Sequence, residues 1–313
     1  MTKSYKKICP NCQWRNTKKD GKRRWKQSYR CHDCRHVWVS SSRQKKKQIE
    51  NLYKEFSIRK QTYQEISERT WMHKRTIQRK LDTYVVERKK DIIPQDIILL
   101  IDTSYLWDFG LMLFKDAYWS RLLHHEYVDY ETNEWYRRGV MYLQQQGWNI
   151  KAIVCDGRKW LLWWFDKIPT QMCHFHQVAI IRRYITKNPV LEPNKELKNI
   201  VKRLCRTDKS CFEKELERRY KKHQTFIKER KRSHTTWKMY YVHGRTRSAY
   251  LSLKRNIKYL FIRQEYLHVL DIPNTSNGIE SEFSHLKYKV NIHRWLRLDR
   301  KRKLIDYLLY TRY

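Results

Sequence analysis

The spacing of apolar positions changes three times along this chain, and each change predicts a different architecture. Between residues 45 and 90, Ile49, Leu52, Tyr53 and Phe56 recur at i, i+3, i+4 and i+7, one apolar face of a helix. Thr62 then offers an N-cap, and Glu65 three residues later completes a capping box. Ile66 marks the inner face of that second short helix. After Glu68-Arg69-Thr70-Trp71 a third helix is predicted, with Ile77 and Leu81 inward and Lys74, Arg75, Thr76, Gln78, Arg79 and Lys80 on its polar face. No glycine occupies the intervening turn. From Asp96 the texture differs. Ile97-Ile98-Leu99-Leu100-Ile101 is continuously apolar, as a buried strand is. Further strands are expected over 109–118 and 121–128. A helix from about Thr132 to Gln146 closes on Gly147. The buried strand Ile150–Cys155, a short helix Arg158–Phe165 and a strand Thr170–Phe175 follow. A meander followed by strands alternating with helices predicts a mixed α/β domain with helices on the faces of one sheet. Residues 177–270 read as a separate helical block. Pro273 and Asn274-Thr275-Ser276-Asn277 then break the chain before a last amphipathic helix striped by Ile279, Phe283, Leu286 and Val290. No internal repeat is visible.

Cysteine spacing adds a first domain. Cys9 and Cys12, then Cys31 and Cys34, form two C-x2-C pairs separated by 18 residues. Each pair puts two sulfurs on one tight turn, and two facing turns supply the four thiolates of a structural Zn²⁺ site. Two disulfides are the alternative, disfavoured because no apolar leader directs the chain to an oxidising compartment. A zinc ribbon over 1–40 is therefore expected, with Ser40-Ser41-Ser42 as a short linker and Lys18, Lys19, Lys22, Arg23, Arg24 and Lys26 making it basic. Cys155, Cys173, Cys205 and Cys211 fit reduced thiols.

Charge then narrows the function. The 313 residues carry a net +37. Residues 1–90 hold 27 Lys/Arg against 8 Asp/Glu, residues 91–176 hold 8 against 11, and residues 177–313 hold 34 against 13. Two basic lobes flank a slightly acidic middle, so a polyanionic partner is expected, and nucleic acid before an anionic membrane. No apolar run approaches the roughly 20 residues that span a bilayer, so no membrane partner and a cytoplasmic location are expected. The three short helices, the last one basic, match a helix-turn-helix over 45–90 whose final helix would place Lys74, Arg75, Gln78 and Arg79 in the major groove. An ordinary helical bundle with a solvated charged face is the bland alternative.

Within the acidic middle, Asp102 is expected at the end of the first buried strand and Asp156 directly after the strand Ile150–Cys155. Ends of neighbouring strands converge on one edge of an open α/β sheet, and two carboxylates there call for a hard cation such as Mg²⁺. The segment Asn274–Phe283 offers Glu280 or Glu282 as a third carboxylate, and helical periodicity leaves that choice open. Taken singly, Asp156-Gly157 is a good turn dipeptide and Glu280 a good capping-box glutamate.

The order of zinc ribbon, helix-turn-helix, Ile101-Asp102-Thr103-Ser104, Val154-Cys155-Asp156-Gly157, the C-x2-H motif Cys173-His174-Phe175-His176, a helical insertion and Asn274-Thr275-Ser276-Asn277-Gly278-Ile279-Glu280-Ser281 resembles the bacterial insertion-sequence transposases related to Mutator-like elements, in the subgroup with an N-terminal zinc ribbon. The resemblance covers essentially the whole chain. It implies an RNase H-like catalytic domain in two parts, 96–176 and 271–313, interrupted by the insertion 177–270. It implies an Asp-Asp-Glu triad of Asp102, Asp156 and Glu280 holding catalytic Mg²⁺ or Mn²⁺, with Cys173 and His176 as auxiliary residues. Metal ligation by that C-x2-H pair is the less favoured reading, because a lone C-x2-H cannot complete a zinc site. It also points to Trp237 in the insertion as a base-stacking residue, although a core tryptophan has equal claim.

The activity so implied is DNA transposition. The ribbon and helix-turn-helix would bind terminal inverted repeats, and the basic insertion would grip flanking or target DNA through phosphates. Cleavage at the element end and strand transfer would proceed without a covalent protein intermediate. Pairing two ends implies a homodimer or higher assembly on DNA, associated with the bacterial nucleoid. A non-catalytic zinc-ribbon/helix-turn-helix regulator, and an RNase H-like nuclease without strand transfer, are the competing classes.

Overall fold

The computed structural model describes residues 7–9, 11, 12, 14–23, 25–39, 43–87, 93–158, 160–165 and 167–312. Arg24 and the serine linker 40–42 lie outside the described residues. The chain divides into two compact units, Met1–Glu87 with Ile292–Leu308, and Arg88–Asn291 with Leu309–Tyr313.

The first unit opens on a three-stranded antiparallel sheet, β1 (Thr17–Arg23), β2 (Lys26–Cys31) and β3 (Val37–Val39). Three helices follow, α1 (Arg43–Ser57), α2 (Tyr63–Thr70) and α3 (Lys74–Asp82). The expected capping box forms at the start of α2. The Glu65 carboxylate accepts from the Thr62 N–H at 2.6 Å, and the Glu65 N–H donates to Thr62 Oγ1 at 3.3 Å. Trp71 takes the left-handed conformation (φ 55°) in the turn that lacks glycine. Leu52, Tyr53, Phe56, Ile66, Ile77 and Leu81 are buried together, as the periodicity predicts, while Ile49 is only half-buried.

Residues 292–308 complete this unit rather than the sheet-bearing one, which corrects the expected domain 271–313. The physical reason is the aromatic face of α1, which needs cover. Tyr307 packs edge-on to Tyr53 with ring centroids 4.8 Å apart. The His293 ring packs tilted against Phe56, with centroids 4.1 Å apart, and donates from Nε2 to the Phe56 carbonyl at 3.0 Å. Arg300 grips the Asp82 carboxylate with two hydrogen bonds of 2.9 and 2.7 Å.

The second unit is mixed α/β. Its five strands are β4 (Asp96–Leu106), β5 (Phe109–Asp116), β6 (Leu122–Val128), β7 (Asn149–Cys155) and β8 (Thr170–Met172), in the sheet order β6-β5-β4-β7-β8. The pairs β6–β5 and β5–β4 are antiparallel; β4–β7 and β7–β8 are parallel. Helix α4 (Asn133–Gln145) crosses between β6 and β7, and the short α5 (Leu161–Trp164) between β7 and β8. Gly139 lets α4 lie against the sheet, since a Cβ there would meet the Phe114 ring at 2.0 Å.

Strand β8 ends at Met172, three residues before the expected end, because the chain turns at Cys173 into α6 (His174–Ile185). Helices α7 (Glu192–Lys202), α8 (Lys209–Lys222) and α9 (Gln224–Lys228), the hairpin β9 (Arg230–Arg232) and β10 (Met239–Tyr241), and helices α10 (Gly244–Leu260), α11 (Ile262–Glu265) and α12 (Asn277–Ile292) complete the unit. The segment 177–270 is not a separate block. Ile181, Ile185, Leu197, Leu216, Leu253 and Phe261 share one continuous core with Ile153 and Met172 of the sheet. Polar clamps reinforce the join. Gln171 Nε2 donates to the Leu260 carbonyl at 2.8 Å, and the His174 ring binds the same carbonyl at 2.6 Å. Among the described residues no helix is long and apolar enough to cross a membrane.

Candidate active site

Parallel pairing of β4 with β7 sets the first two carboxylates. Leu100 is the last β4 residue matched across the pair, opposite Val154. Asp102 and Asp156 each lie two residues beyond that match. Because side chains alternate with period two along a strand, both continue the face that Leu100 and Val154 share. Asp102 is not at a strand end, as expected, but within β4, which runs on to Leu106 against β5. It marks where β7 stops and leaves one side of β4 open.

Glu280 comes from the first turn of α12, and His176 from the first turn of α6. Asp102, His176 and Glu280 bring one potential ligand atom each to within 4.8 Å of one another. Asp156 borders this group without joining it. Its carboxylate accepts from the Arg158 N–H at 3.2 Å, and its charge reaches both Asp102 and His176.

The electrostatics are those of buried carboxylates crowded around one imidazole. Burial, helped by the Asp156 and Glu280 charges, raises the Asp102 carboxyl to about 7 against the opposing pull of His176 and the Thr103 N–H. Burial and the Glu131 charge raise Asp156, and burial raises Glu280. Burial favours the neutral His176 ring, yet the Cys173 sulfur and the Asp102 and Asp156 carboxylates outweigh it and push the ring up to about 9. One Glu280 carboxylate oxygen is buried with no hydrogen-bond partner. Such an atom is costly unless something binds it, so the donor set fits a divalent cation on the evidence of this chain alone.

Two glutamates that the sequence could not separate have different environments. Glu282 is buried and ion-paired with the equally buried Lys115 of β5 at 3.6 Å, and Lys115 also donates to the Gly278 carbonyl at 3.3 Å. Glu282 therefore fastens α12 to the sheet, and Glu280 faces Asp102 and His176.

The C-x2-H motif divides its labour. Cys173, fully buried, accepts from both the backbone N–H and the hydroxyl of Ser276, each at 3.3 Å. The His174 N–H donates to the Asn274 carbonyl at 2.9 Å. These contacts pin the start of α6 to the segment leading into α12, which is what brings His176 beside Glu280. Burial pushes the Cys173 thiol up, but the His176 ring and the Ser276 donors prevail and hold it below its ordinary value. A Cβ at Gly157 would meet the flexible end of the Met172 side chain, with Cε at 2.0 Å, so Met172 would have to shift to admit one.

A polar network supports the site that sequence reasoning did not find. Arg158 forms an ion pair with Glu131 at 3.0 Å and donates to its backbone carbonyl at 2.6 Å. Tyr136 donates to Glu131 at 2.6 Å and lies 2.9 Å from the Thr103 hydroxyl. Thr103 in turn donates its N–H to Asp102 at 2.9 Å. Glu131 lies in a loop far from any motif, so only the adjacency of Thr103 to Asp102 and of Arg158 to Asp156 hinted at this chain.

In the first unit, Cys9 and Cys34 bring their sulfurs to 3.5 Å, as do Cys12 and Cys31, and all four lie within 4.8 Å of one another. Thiolates held about 2.3 Å from a tetrahedral zinc stand about 3.8 Å apart, so the cluster fits that ion. The His36 N–H draws Cys34 down to about 6. Cys12 rises to about 12: the Trp14 N–H favours its thiolate, but burial and the three neighbouring sulfurs outweigh it. A cation would relieve that crowding.

Lys74, Arg75 and Arg79 are exposed on α3 and Gln78 is half-buried. Trp237 is 70% exposed in the β9–β10 hairpin at φ 56°, so it is not a core tryptophan. No family model matches the chain, and no curated protein does.

Proposed function

We propose that this chain is a DNA transposase whose second unit carries an RNase H-like, two-aspartate-one-glutamate active site, as the resemblance to zinc-ribbon insertion-sequence transposases implies. The observation that carries this reading is the approach of Asp102, Asp156 and Glu280 to one end of the parallel strands, with burial and the neighbouring carboxylates raising the Asp102 carboxyl to about 7. The strand order supports the fold assignment: an antiparallel meander extended by two parallel strands leaves an open edge where β4 outruns β7.

Asp102, Asp156 and Glu280 would hold Mg²⁺ or Mn²⁺, which when bound supplies activation of water and neutralisation of charge developing on a phosphodiester. The chain's own residues do the rest. Asp102 is fixed by the Thr103 N–H, and Asp156 by the Arg158 N–H. Neither needs to reorganise as charge develops. The same carboxylates would serve end cleavage and the attack of the freed 3′-hydroxyl on target DNA. The Cys₄ cluster would hold structural Zn²⁺, and α3 with the ribbon would recognise terminal inverted repeats of double-stranded DNA. The net +37 supports that partner. Pairing of two ends would require a homodimer or higher assembly, acting at the bacterial nucleoid.

The test is end cleavage. Labelled DNA bearing the terminal repeats is incubated with Mg²⁺ or Mn²⁺ and the protein. Wild type should nick it, while Asp102→Asn, Asp156→Asn and Glu280→Gln should bind equally well and not cut. Binding without any cutting by wild type would favour the regulator.

A further inference from the structure

We propose that His176 joins Asp102 and Glu280 as a direct ligand of the catalytic cation, adding one imidazole to the carboxylate set, and that the site therefore selects Mn²⁺ over Mg²⁺. This rests on the reading of the second unit as a metal-dependent active site.

Three independent features converge on it. The first is distance. His176 Nε2 lies 3.9 Å from Asp102 Oδ1, too long for a hydrogen bond. A salt bridge alone would let the two close up. Ligand atoms about 2.1 Å from a common ion stand roughly 3 to 4.3 Å apart, depending on the angle between them. The three potential ligand atoms, all within 4.8 Å, need only a small contraction to reach that spacing.

The second is placement. Cys173 opens α6 and His176 follows one turn later, so the buried Cys173–Ser276 contacts that fix the helix start also fix the ring. The ring's other nitrogen, Nδ1, is buried with no hydrogen-bond partner. The Cys173 sulfur that fixes the helix start also draws on the ring, and Nε2 is the atom on the Asp102 side. The third is the unpartnered Glu280 oxygen beside it. Asp156 borders these three residues without joining them.

Donor chemistry then decides the ion. Mg²⁺ demands oxygen ligands in near-ideal octahedral geometry and keeps its waters. An imidazole nitrogen in place of one oxygen shifts preference along the series toward transition metals. Mn²⁺ accepts carboxylate and imidazole together and still serves phosphoryl chemistry.

Imidazole ligation can be read without activity. Zinc-loaded protein is titrated with Mn²⁺, and the bound ion is examined by electron spin-echo envelope modulation for coupling to a histidine nitrogen. The expected result is ¹⁴N modulation that changes to the ¹⁵N pattern when the protein is made with ¹⁵N-histidine. His176→Gln should abolish it and weaken Mn²⁺ at least tenfold by calorimetry, with Mg²⁺ affinity changing less than threefold. Asp156→Asn should keep the modulation. The ¹⁵N-histidine comparison needs no substitution, so a poorly folded variant would not blur the answer. If Mn²⁺ binds in a manner abolished by Asp102→Asn or Glu280→Gln but shows no histidine coupling, the inference is overturned and the carboxylate site stands. If no binding depends on Asp102 or Glu280, both fall together.

Discussion

Lys115 and Glu282 face each other at 3.6 Å across the junction of β5 and α12, both almost wholly removed from solvent. Two residues earlier on the same helix, Glu280 has a buried oxygen with no partner. One glutamate thus holds the helix, and the other is available for chemistry. Removing one partner of a buried pair costs about 3–5 kcal/mol because the remaining charge is stranded. Glu282→Gln should therefore lower the unfolding free energy by an amount near that range while leaving residual cleavage in the folded fraction. Glu280→Gln should leave thermal stability unchanged or raised and eliminate cleavage. Paired melting curves and nicking assays check both; the reverse pattern would exchange their roles.

Glu196 offers a pH test away from the active site. Burial favours its protonated form, but Lys222, His223 and Arg219 surround it with donors and hold it down to about 2. A carboxyl depressed in the folded state adds stability that is complete above its unfolded value, near 4.5, and fades as pH falls toward 2. Chemical denaturation should show wild type more stable than Glu196→Gln by about 2 kcal/mol at pH 6, less than the full linkage value because the Lys222 end is exposed to solvent. That advantage should shrink steadily between pH 4.5 and pH 2. A gap that stays constant over that range would mean the cluster does not act through ionisation.

The cysteine cluster predicts a metal-dependent local fold. Cys9 and Cys31 are fully buried, and Cys31 ends β2 of the small sheet β1 to β3. Binding energy is then folding energy for this subdomain. Purified protein should carry chelator-resistant zinc that Cys31→Ser loses, and the variant should bind repeat DNA at least tenfold more weakly while the second unit melts unchanged. Normal zinc content in Cys31→Ser would remove these four residues as the site.

Gly139 permits the close approach of α4 to β5. A methyl group there meets the Phe114 ring at 2.0 Å, and a rigid ring in a filled core cannot step aside. Gly139→Ala should therefore destabilise the second unit by about 1–3 kcal/mol despite the better helix propensity of alanine. A denaturant midpoint equal to or above wild type would show that the contact is slack.

Much of this was legible in the chain before any coordinates. Local rules sufficed for the Thr62–Glu65 capping box, the Cys₄ spacing, and the stripe Ile279, Phe283, Leu286 and Val290, all of which are buried. What sequence did not carry were non-local pairings. Periodicity could not separate Glu280 from Glu282 because the Lys115 partner is over 160 residues away. It extended β8 through Phe175, since an apolar run does not disclose that Cys173 turns to meet Ser276. It set the helical segment apart because basic surface residues masked the Leu197, Leu253 and Phe261 face that joins the sheet core. Nor does it show that Asp102, His176 and Glu280 meet within 4.8 Å, because an approach of β4, α6 and α12 has no sequence spacing of its own.

The most direct test of the central claim is strand transfer from a pre-cleaved end. Double-stranded DNA carrying one terminal repeat with an exposed 3′-hydroxyl is mixed with supercoiled plasmid, Mn²⁺, and either wild type or Asp102→Asn. Wild type is predicted to join the end covalently to the plasmid, and Asp102→Asn to bind the same DNA and join none. Tight binding by wild type with no joined product in either Mn²⁺ or Mg²⁺ would contradict the account.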